Sequence, residues 1–151
     1  MWDIEILAVG SLRFKHFSAL AEEYLKRLKP FAKVKITELL AESFSPSSAV
    51  KVRNSESQRL DLAISKRQRR RVFLLDEKGE EYSSPSLAKL INHEPLLFVL
   101  ASTQGFTDEL KNKYPKLSLS KLTFPHEMAR VLLLEQIYRS ACINSGKSYH
   151  Y

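Results

Sequence analysis

The end of the chain carries the side chains best suited to chemistry. A polar loop at residues 118–126 (SLSKLTFPH) precedes a mostly apolar segment at 130–139 (RVLLLEQIYR), and the chain closes with Tyr149, His150 and Tyr151. Aromatic rings can stack on an unpaired base, and an imidazole can donate a hydrogen bond or exchange a proton. A frayed tail is the alternative, because chain ends are normally loose.

Further ionisable side chains belong to a helix that is predicted to start at Pro125. His126 stands in its first turn, where the helix dipole disfavours an imidazolium and the ring would either contact a ligand or pack locally. Arg130 and Arg139 are nine positions apart, so they point in roughly opposite directions and cannot both serve one site from a single helix. In a dimer each could still face a useful group, although solvent exposure is the default for arginine. A helix without a clean polar face is usually buried on several sides, which predicts that a partner covers this one.

Two other segments are candidates for binding. Residues 66–71 (KRQRRR) place five cations in six positions ahead of a predicted strand, where they would grip phosphates, close a helix at its negative end, or do both. Residues 101–106 (ASTQGF) follow another predicted strand, and ligands of open α/β sheets dock at such carboxyl strand ends. A plain connection to the next helix is the alternative there. The formal net charge of +7 favours a polyanionic partner, although a solvated basic surface gives the same charge.

The composition excludes several classes of protein. Four scattered glycines do not supply a dinucleotide fingerprint or a P-loop, and no pair of histidines or cysteines has the spacing of metal ligands. Cys142 is the only cysteine, which favours a packing role in a reducing compartment. The apolar runs are too short to span a membrane, and the acidic N-terminal segment is typical of a first strand rather than a signal peptide. We therefore expect a soluble cytoplasmic protein.

The hydrophobic patterns predict strands that alternate with helices. The strands fall at residues 4–9, 34–39, 72–75, 96–100 and, more weakly, 117–119. Helices are expected at residues 17–28 and 48–66, and from Ser84, Thr107 and Pro125 onward. This alternation predicts a single α/β domain over residues 1–151, with a mostly parallel sheet of about five strands flanked by helices. The continuous apolar run 96–100 is typical of a central strand, and residues 42–48 are typical of a loop.

Several short motifs together resemble one known family. They are LAVG at 7–10, LD at 75–76, QGF at 104–106, the segments 118–126 and 130–139, and YH at 149–150. The combination is similar to the bacterial 23S (large-subunit) ribosomal RNA pseudouridine N3-methyltransferases, which belong to the SPOUT, or trefoil-knot, methyltransferases. The similarity covers essentially the whole chain, and the TFPH and RVL blocks are highly specific.

The resemblance implies a knotted α/β fold, a homodimer, S-adenosylmethionine as methyl donor without a metal, and a pseudouridine in the RNA of the assembled ribosome as substrate. Carried over by position, it implies cofactor contacts at Leu75, Ala101, Leu119, Ser120, Lys121, Leu122, Thr123 and Phe124. Our hypothesis for catalysis is that Tyr149 and His150 hold the flipped base and assist removal of its N3 proton. Arg139 would steady an RNA phosphate or the developing anion.

Two departures from the family pattern bear on these expectations. A Gly-Gly pair is usual where this chain has Ala101 and Ser102, whose β-carbons would crowd the cofactor if the backbone needed glycine-only angles. The family also tends to end in Pro-Tyr-His followed by a cation, whereas here Ser148 precedes Tyr149 and Tyr151 closes the chain. One alternative is a catalytically weak ribosome-binding protein on the same scaffold. The other is an unrelated RNA-binding module, which would be monomeric.

Overall fold

Strands and helices alternate along the chain in the computed structural model, which describes residues 1–43, 45–91 and 94–151. The strands are β1 (Trp2–Val9), β2 (Ala32–Leu39), β3 (Arg71–Glu81), β4 (Leu96–Leu100) and β5 (Lys116–Ser118). The α-helices are α1 (Lys15–Leu28), α2 (Ala49–Ser65), α3 (Ser84–Ile91), α4 (Asp108–Lys113) and α5 (His126–Ser145). The predicted alternation is therefore confirmed. Within the predicted loop 42–48, a short 3-10 helix covers Pro46–Ser48, and Phe44 lies outside the described residues.

The five strands form one parallel sheet in the order β2-β1-β4-β3-β5. All five residues of β4 are buried, which confirms that the apolar run 96–100 is the central strand. Parallel neighbours require a crossover at every connection, and the helices that make these crossovers cover both faces of the sheet. None of the helices in the described part of the chain has the length and hydropathy needed to cross a membrane.

The two faces of the sheet carry separate hydrophobic cores. On one face, side chains such as Ile6 and Phe98 pack with α1, α3 and α5. On the other face, the alternate side chains, such as Leu7 and Leu97, pack with α2 and α4. Cys142 is fully buried in the first core, in agreement with its predicted packing role. The sheet and the neighbouring helices bury ten of the twenty residues of α5, so much of its apolar surface is covered within one chain.

Arg130 is buried, and the expectation that it faces solvent was wrong. Its guanidinium donates hydrogen bonds to Glu38 Oε2 at 2.6 Å and to the carbonyl oxygen of Gly10 at 2.8 Å. One turn earlier, Glu127 Oε1 accepts a hydrogen bond from the backbone N–H of Arg13 at 2.6 Å. A buried guanidinium is tolerated when it is paired in this way. The start of α5 therefore holds the loop that follows β1.

Strand β3 runs six residues beyond the predicted end at Leu75 because it contains a bulge. Leu75 and Glu80 both lie opposite Leu117 of β5, so residues 76–79 leave the ladder between them. Gly79 then passes against the β5 backbone, where an added β-carbon would lie 2.7 Å from the carbonyl carbon of Lys116. Glycine is required there because two backbones approach closely.

Replacing Gly79 by Ala is expected to lower the free energy of unfolding by about 2 kcal/mol, because the new methyl group would overlap backbone that cannot move without breaking the ladder. Urea unfolding followed by circular dichroism measures the change. The control is Gly146→Ala: this glycine ends α5 at φ 68° with nothing within 4 Å of an added β-carbon. Its cost should be about 1 kcal/mol, from backbone conformation alone. Equal losses would contradict the steric explanation for Gly79.

Candidate functional site

A cavity of about 630 Å³ opens at the carboxyl end of β4, beside the bulge of β3. It is lined by residues 75–78, 100–106 and 123–126, together with Lys111 and Ala129. The turn 101–106 and His126, two candidates from the sequence, therefore share one site. The turn forms a wall of this cavity, at the edge where ligands of α/β sheets bind.

A smaller cavity of about 120 Å³ adjoins the first and shares part of its lining, including Leu75, Glu77 and Phe124. Seven of the eight positions carried over from the family line one or both cavities: Leu75, Ala101, Leu119, Ser120, Leu122, Thr123 and Phe124. Lys121 lines neither. Its side chain is 86% exposed, and its Nζ lies 3.9 Å from Glu81 Oε1. The segment 119–124 therefore contributes most of its residues to the site but turns this cation away from it.

Side-chain hydrogen bonds shape the segment 119–124. Ser118 Oγ donates to the carbonyl oxygen of Ser120 at 2.8 Å, and Ser120 Oγ accepts from the backbone N–H of Leu122 at 3.0 Å. Thr123 Oγ1 donates to the carboxylate of Glu77 in the β3 bulge. The segment is thus folded on itself and tied to β3, which gives its backbone groups a fixed direction.

The bulge brings Asp76, Glu77 and Lys78 to the cavity, and the sequence reasoning did not assign a role to these residues. Asp76 Oδ1 accepts a hydrogen bond from the backbone N–H of Lys78 at 2.8 Å, and its Oδ2 lies 3.3 Å from Lys111 Nζ. The ammonium groups of Lys78 and Lys111 line the same cavity, so this wall carries two carboxylates and two cations. The sequence Asp-Glu-Lys-Gly at 76–79 is a turn signal that could have indicated the irregularity.

Helix α2 holds the opposite wall of the cavity in place. Glu56 is buried; its Oε1 accepts a hydrogen bond from Ser102 Oγ at 2.5 Å, and its Oε2 accepts one from the backbone N–H of Glu42 at 3.1 Å. Arg53 Nε donates to the carbonyl oxygen of Gln104 at 2.8 Å. A buried carboxylate needs such donors, because an unpaired charge away from water is costly. The hydroxyl that departs from the family pattern therefore has a structural role.

The backbone at Ala101 and Ser102 does not need glycine. Among the non-glycine residues that the structure describes, these two included, none has a positive φ. Gly105, at φ 71°, supplies the left-handed conformation in this turn. A β-carbon at position 101 or 102 is therefore compatible with the local backbone, and both residues line an open cavity.

The three catalytic candidates form a second cluster, around Glu135 of α5. Glu135 Oε1 accepts from Arg139 at 2.6 and 3.0 Å and from the Tyr149 hydroxyl at 3.1 Å. Arg139 Nη1 lies 3.2 Å from His150 Nδ1, and the Tyr149 ring meets the Tyr138 ring edge-on at 4.9 Å between centroids. The tail is therefore anchored through Tyr149 rather than frayed.

The hydrogen bonds of this cluster indicate what Tyr149 and His150 can do. Burial raises the pKa of the Tyr149 hydroxyl, and a hydrogen bond with Tyr24 and the charge of Glu135 raise it further. Tyr149 stays protonated at neutral pH and cannot act as a base. Arg139 can only donate, so His150 Nδ1 accepts and a neutral His150 carries its proton on Nε2. The exposed imidazole then presents an N–H donor to solvent.

The cavity and the tail cluster lie at different ends of α5. His126 at the cavity precedes Arg139 by thirteen residues, which corresponds to about 20 Å along a helix. Among the residues that the structure describes, those lining either cavity do not include Arg139, Tyr149 or His150. In the same described part of the chain, no three His, Cys, Asp or Glu side chains are grouped as metal ligands. Within one chain, the predicted cofactor residues therefore lie far from the predicted catalytic residues.

Residues 2–150 match the protein family described as "Predicted SPOUT methyltransferase". The chain is also similar to curated proteins named ribosomal RNA large subunit methyltransferase H. Identity is 39% with the protein of Oenococcus oeni and 35% with that of Kosmotoga olearia, in each case over 99% of both chains.

Two solved structures share the fold. One is a probable methylase family protein from Haemophilus influenzae, with a TM-score of 0.60 and 10% identity, covering 98% of this chain and 70% of the other. The second comes from work on 2-OH methylation of C/U34 on tRNA, with a TM-score of 0.52 and 12% identity, covering 96% of this chain and 99% of the other. At these identities the likeness concerns the fold alone.

Replacing Ser102 by Ala is expected to lower the free energy of unfolding by about 1 to 2 kcal/mol, because buried Glu56 would lose a hydrogen-bond donor. Urea unfolding at neutral pH measures the change. The matched control is Ser65→Ala, since the hydroxyl of this exposed serine donates only to the Leu62 carbonyl oxygen within its own helix. That variant should change stability by no more than about 0.5 kcal/mol. Equal effects of the two substitutions would contradict a supporting role for the bond between Ser102 and Glu56.

Proposed function

The chain belongs to the SPOUT methyltransferase family, and we propose that it transfers a methyl group from S-adenosylmethionine to N3 of a pseudouridine in large-subunit ribosomal RNA. The observation that carries this proposal is the identity of 35–39% over nearly the full length of relatives named as ribosomal RNA large subunit methyltransferases. A formal net charge of +7 suits a polyanionic substrate. Ribosomes as the substrate would place the protein in the cytoplasm.

The cavity between the β3 bulge and the end of β4 is suited to the methyl donor. Its volume of about 630 Å³ falls in the ordinary range for ligand sites. Leu75, Ala101 and Phe124 would cover an adenine ring, while backbone groups of the loops would supply hydrogen bonds. The carboxylates of Asp76 and Glu77 could pair with the positive groups of the donor, and the ammonium groups of Lys78 and Lys111 with its carboxylate. When bound, S-adenosylmethionine supplies a methyl group that is already activated on a cationic sulfur.

The protein's own residues then have to orient the base and lower the cost of removing its N3 proton. We assign His150 the role of donating a hydrogen bond from Nε2 to a carbonyl oxygen of the base, where negative charge develops as the proton leaves. Arg139 orients this imidazole through Nδ1, and its own charge is largely offset by Glu135. Tyr149 anchors the tail through its ring and its hydroxyl. The proton itself would pass to water.

A homodimer would unite the two groups of residues. The separation of about 20 Å along α5 argues that the tail of one chain serves the cavity of its partner. In a symmetric dimer both cavities are completed in the same way, because each subunit offers the same surface to the other. This arrangement supports the predicted dimer independently of the apolar pattern of α5.

The alternative of a binding protein with a degraded pocket rested on crowding by Ala101 and Ser102. The ordinary backbone angles at these residues and the open cavity beside them support the enzyme instead. Calorimetric titration with S-adenosylmethionine separates the two possibilities, because only the enzyme is expected to show saturable micromolar binding.

We predict that the purified protein methylates ribosomes from a strain lacking its gene, and that His150→Ala lowers kcat about 100-fold while leaving cofactor affinity within twofold, because a donor to the developing charge is lost. Mass spectrometry of the 23S RNA measures the methyl group, and calorimetry measures cofactor binding. The control is Tyr151→Ala, which removes a fully exposed side chain from the adjacent position and should leave both quantities unchanged. No methyl transfer by the unaltered protein would refute the proposed function, and equal losses of turnover and cofactor affinity in His150→Ala would refute the role of His150.

A mixing experiment tests whether the tail acts on the partner's cavity. One variant carries His150→Ala, and the other carries Leu75→Arg, which fills the cavity; each alone should be inactive. If the tail acts in trans, re-equilibrated mixtures should recover about a quarter of the normal activity, because each mixed dimer has one cavity and one tail intact at the same site. If the tail acts on its own cavity, no activity returns, and the dimer argument fails.

A further inference from the structure

The basic run at residues 66–71 lies at the amino edge of the sheet, opposite the cavity. It follows α2 and leads into β3 at Arg71, whereas the cavity begins where β3 passes Leu75. Four residues of strand correspond to about 13 Å. The run therefore contributes nothing to the cavity described above, and its charge calls for a separate explanation.

Three of its five cations already have partners within the protein. Arg67 donates to Glu5 Oε1 at 2.8 Å and to the carbonyl oxygen of Ala63 in the last turns of α2 at 2.7 Å. Arg70 lies 2.8 Å from Asp3 Oδ1, and Arg71 lies 3.2 Å from Glu94 Oε1. Closing the end of α2 therefore explains Arg67, but it does not explain the other cations of this run.

The remaining two cations of the run are Lys66 and Arg69. Both side chains are exposed, and among the described residues neither has an ion-pair partner. They line a shallow groove of about 740 Å³ together with Arg67 and Arg70, and Asp3 forms part of its wall. A protein that needed only to close a helix would gain nothing from two additional unpaired cations in the same groove.

The buried carboxylate of Glu5 holds several of these cations in place. Its carboxylate is only 4% exposed and lies 2.8 Å from Arg67, 3.4 Å from Arg70 and 3.8 Å from Lys35 of β2. Burial acts to raise the pKa of this carboxyl, but the hydrogen bonds from Arg67 and Thr37, together with the charges of Arg67 and Lys35, outweigh it and lower the pKa. Glu5 is therefore ionised at neutral pH, and it forms ion pairs with the cations around it.

The groove and its surroundings keep a large positive excess. Lys33 lies on β2 directly beside Asp3, so the amino-edge surface consists of Lys33, Lys35, Lys66, Arg67, Arg69 and Arg70. Among the described residues, the carboxylates that pair with these six cations are Asp3 and Glu5, which leaves four uncompensated positive charges. Such a surface attracts a chain of phosphates, because each phosphate that it neutralises releases counterions.

We propose that the amino-edge surface binds the phosphate backbone of ribosomal RNA at a distance from the methylated base, with Lys66 and Arg69 as the principal contacts. This inference rests on the proposed function, which supplies the polyanion. The buried carboxylate of Glu5 holds Arg67 and Arg70 in place, so these two arginines need little further ordering on binding. The contact is independent of base identity and adds affinity for the ribosome rather than specificity for the modified nucleotide.

The test is the double variant Lys66→Ala, Arg69→Ala. Its dissociation constant for ribosomes at low salt should rise at least about fivefold, and the slope of its logarithm against the logarithm of salt concentration should fall by about 1 to 2. kcat at saturating ribosomes and the affinity for S-adenosylmethionine should not change. The charge-retaining variant Lys66→Arg, Arg69→Lys should restore binding.

The matched control is Lys26→Ala, Lys89→Ala, which removes two exposed lysines from helices on the other face of the sheet. It removes the same charge and should change ribosome affinity less than twofold. Equal losses in the two double variants, or an unchanged salt slope in Lys66→Ala, Arg69→Ala, would overturn the proposal, and so would a loss of binding to anionic lipid vesicles with ribosome binding unchanged. Because binding is measured without methyl transfer, failure of the enzymatic activity would be seen separately.

Discussion

Parallel pairing around β4 determines where every binding surface of this chain lies. β4 sits between β1 and β3 with all of its residues buried, so its neighbours cannot shift without exposing apolar side chains. Each parallel connection must return the chain from the carboxyl edge to the amino edge through a helix. The turn 101–106 and the bulge at 76–79 consequently meet at one edge, while the basic run 66–71 is delivered to the other.

Local patterns predicted the fold well where they reflect burial. The run 96–100 and the apolar spacing of 17–28 each correspond to an element because side-chain burial repeats with the period of that element. The bulge in β3 was missed, since it depends on pairing with β5, and β5 follows it by more than thirty residues. Burial of Arg130 was missed for the same reason, because its partner Glu38 is remote in sequence. The trefoil knot stays a prediction that rests on the resemblance, because no periodicity encodes a threaded chain.

The turn 101–106 and His126 could be identified from the sequence pattern, but the segment 119–124 could be assigned to the site only through a resemblance. The physical character of the site explains why. A cavity lined by loops and backbone groups places few demands on side-chain type, so composition alone leaves no signature at 119–124. The same tolerance explains how a serine can stand at position 102. Its hydroxyl bonds to buried Glu56, and no glycine-only angle is required there. Side-chain type matters more for a supporting residue such as Glu56, which must accept specific hydrogen bonds behind the cavity wall. Such residues are hard to identify before the fold is known.

The main effect of two acidic side chains in this basic protein is to orient particular arginines, rather than to lower its net charge. Glu5 fixes Arg67 at the amino edge, and Glu135 fixes Arg139 beside the tail. In both places the paired arginine is held still while an exposed neighbour remains free to meet a ligand: unpaired cations in the first case and the imidazole of His150 in the second. An arginine held by a carboxylate loses little further freedom when a substrate arrives. Removing such a carboxylate would raise the net charge, yet it would weaken binding, because the arginine beside the contacting groups would become disordered.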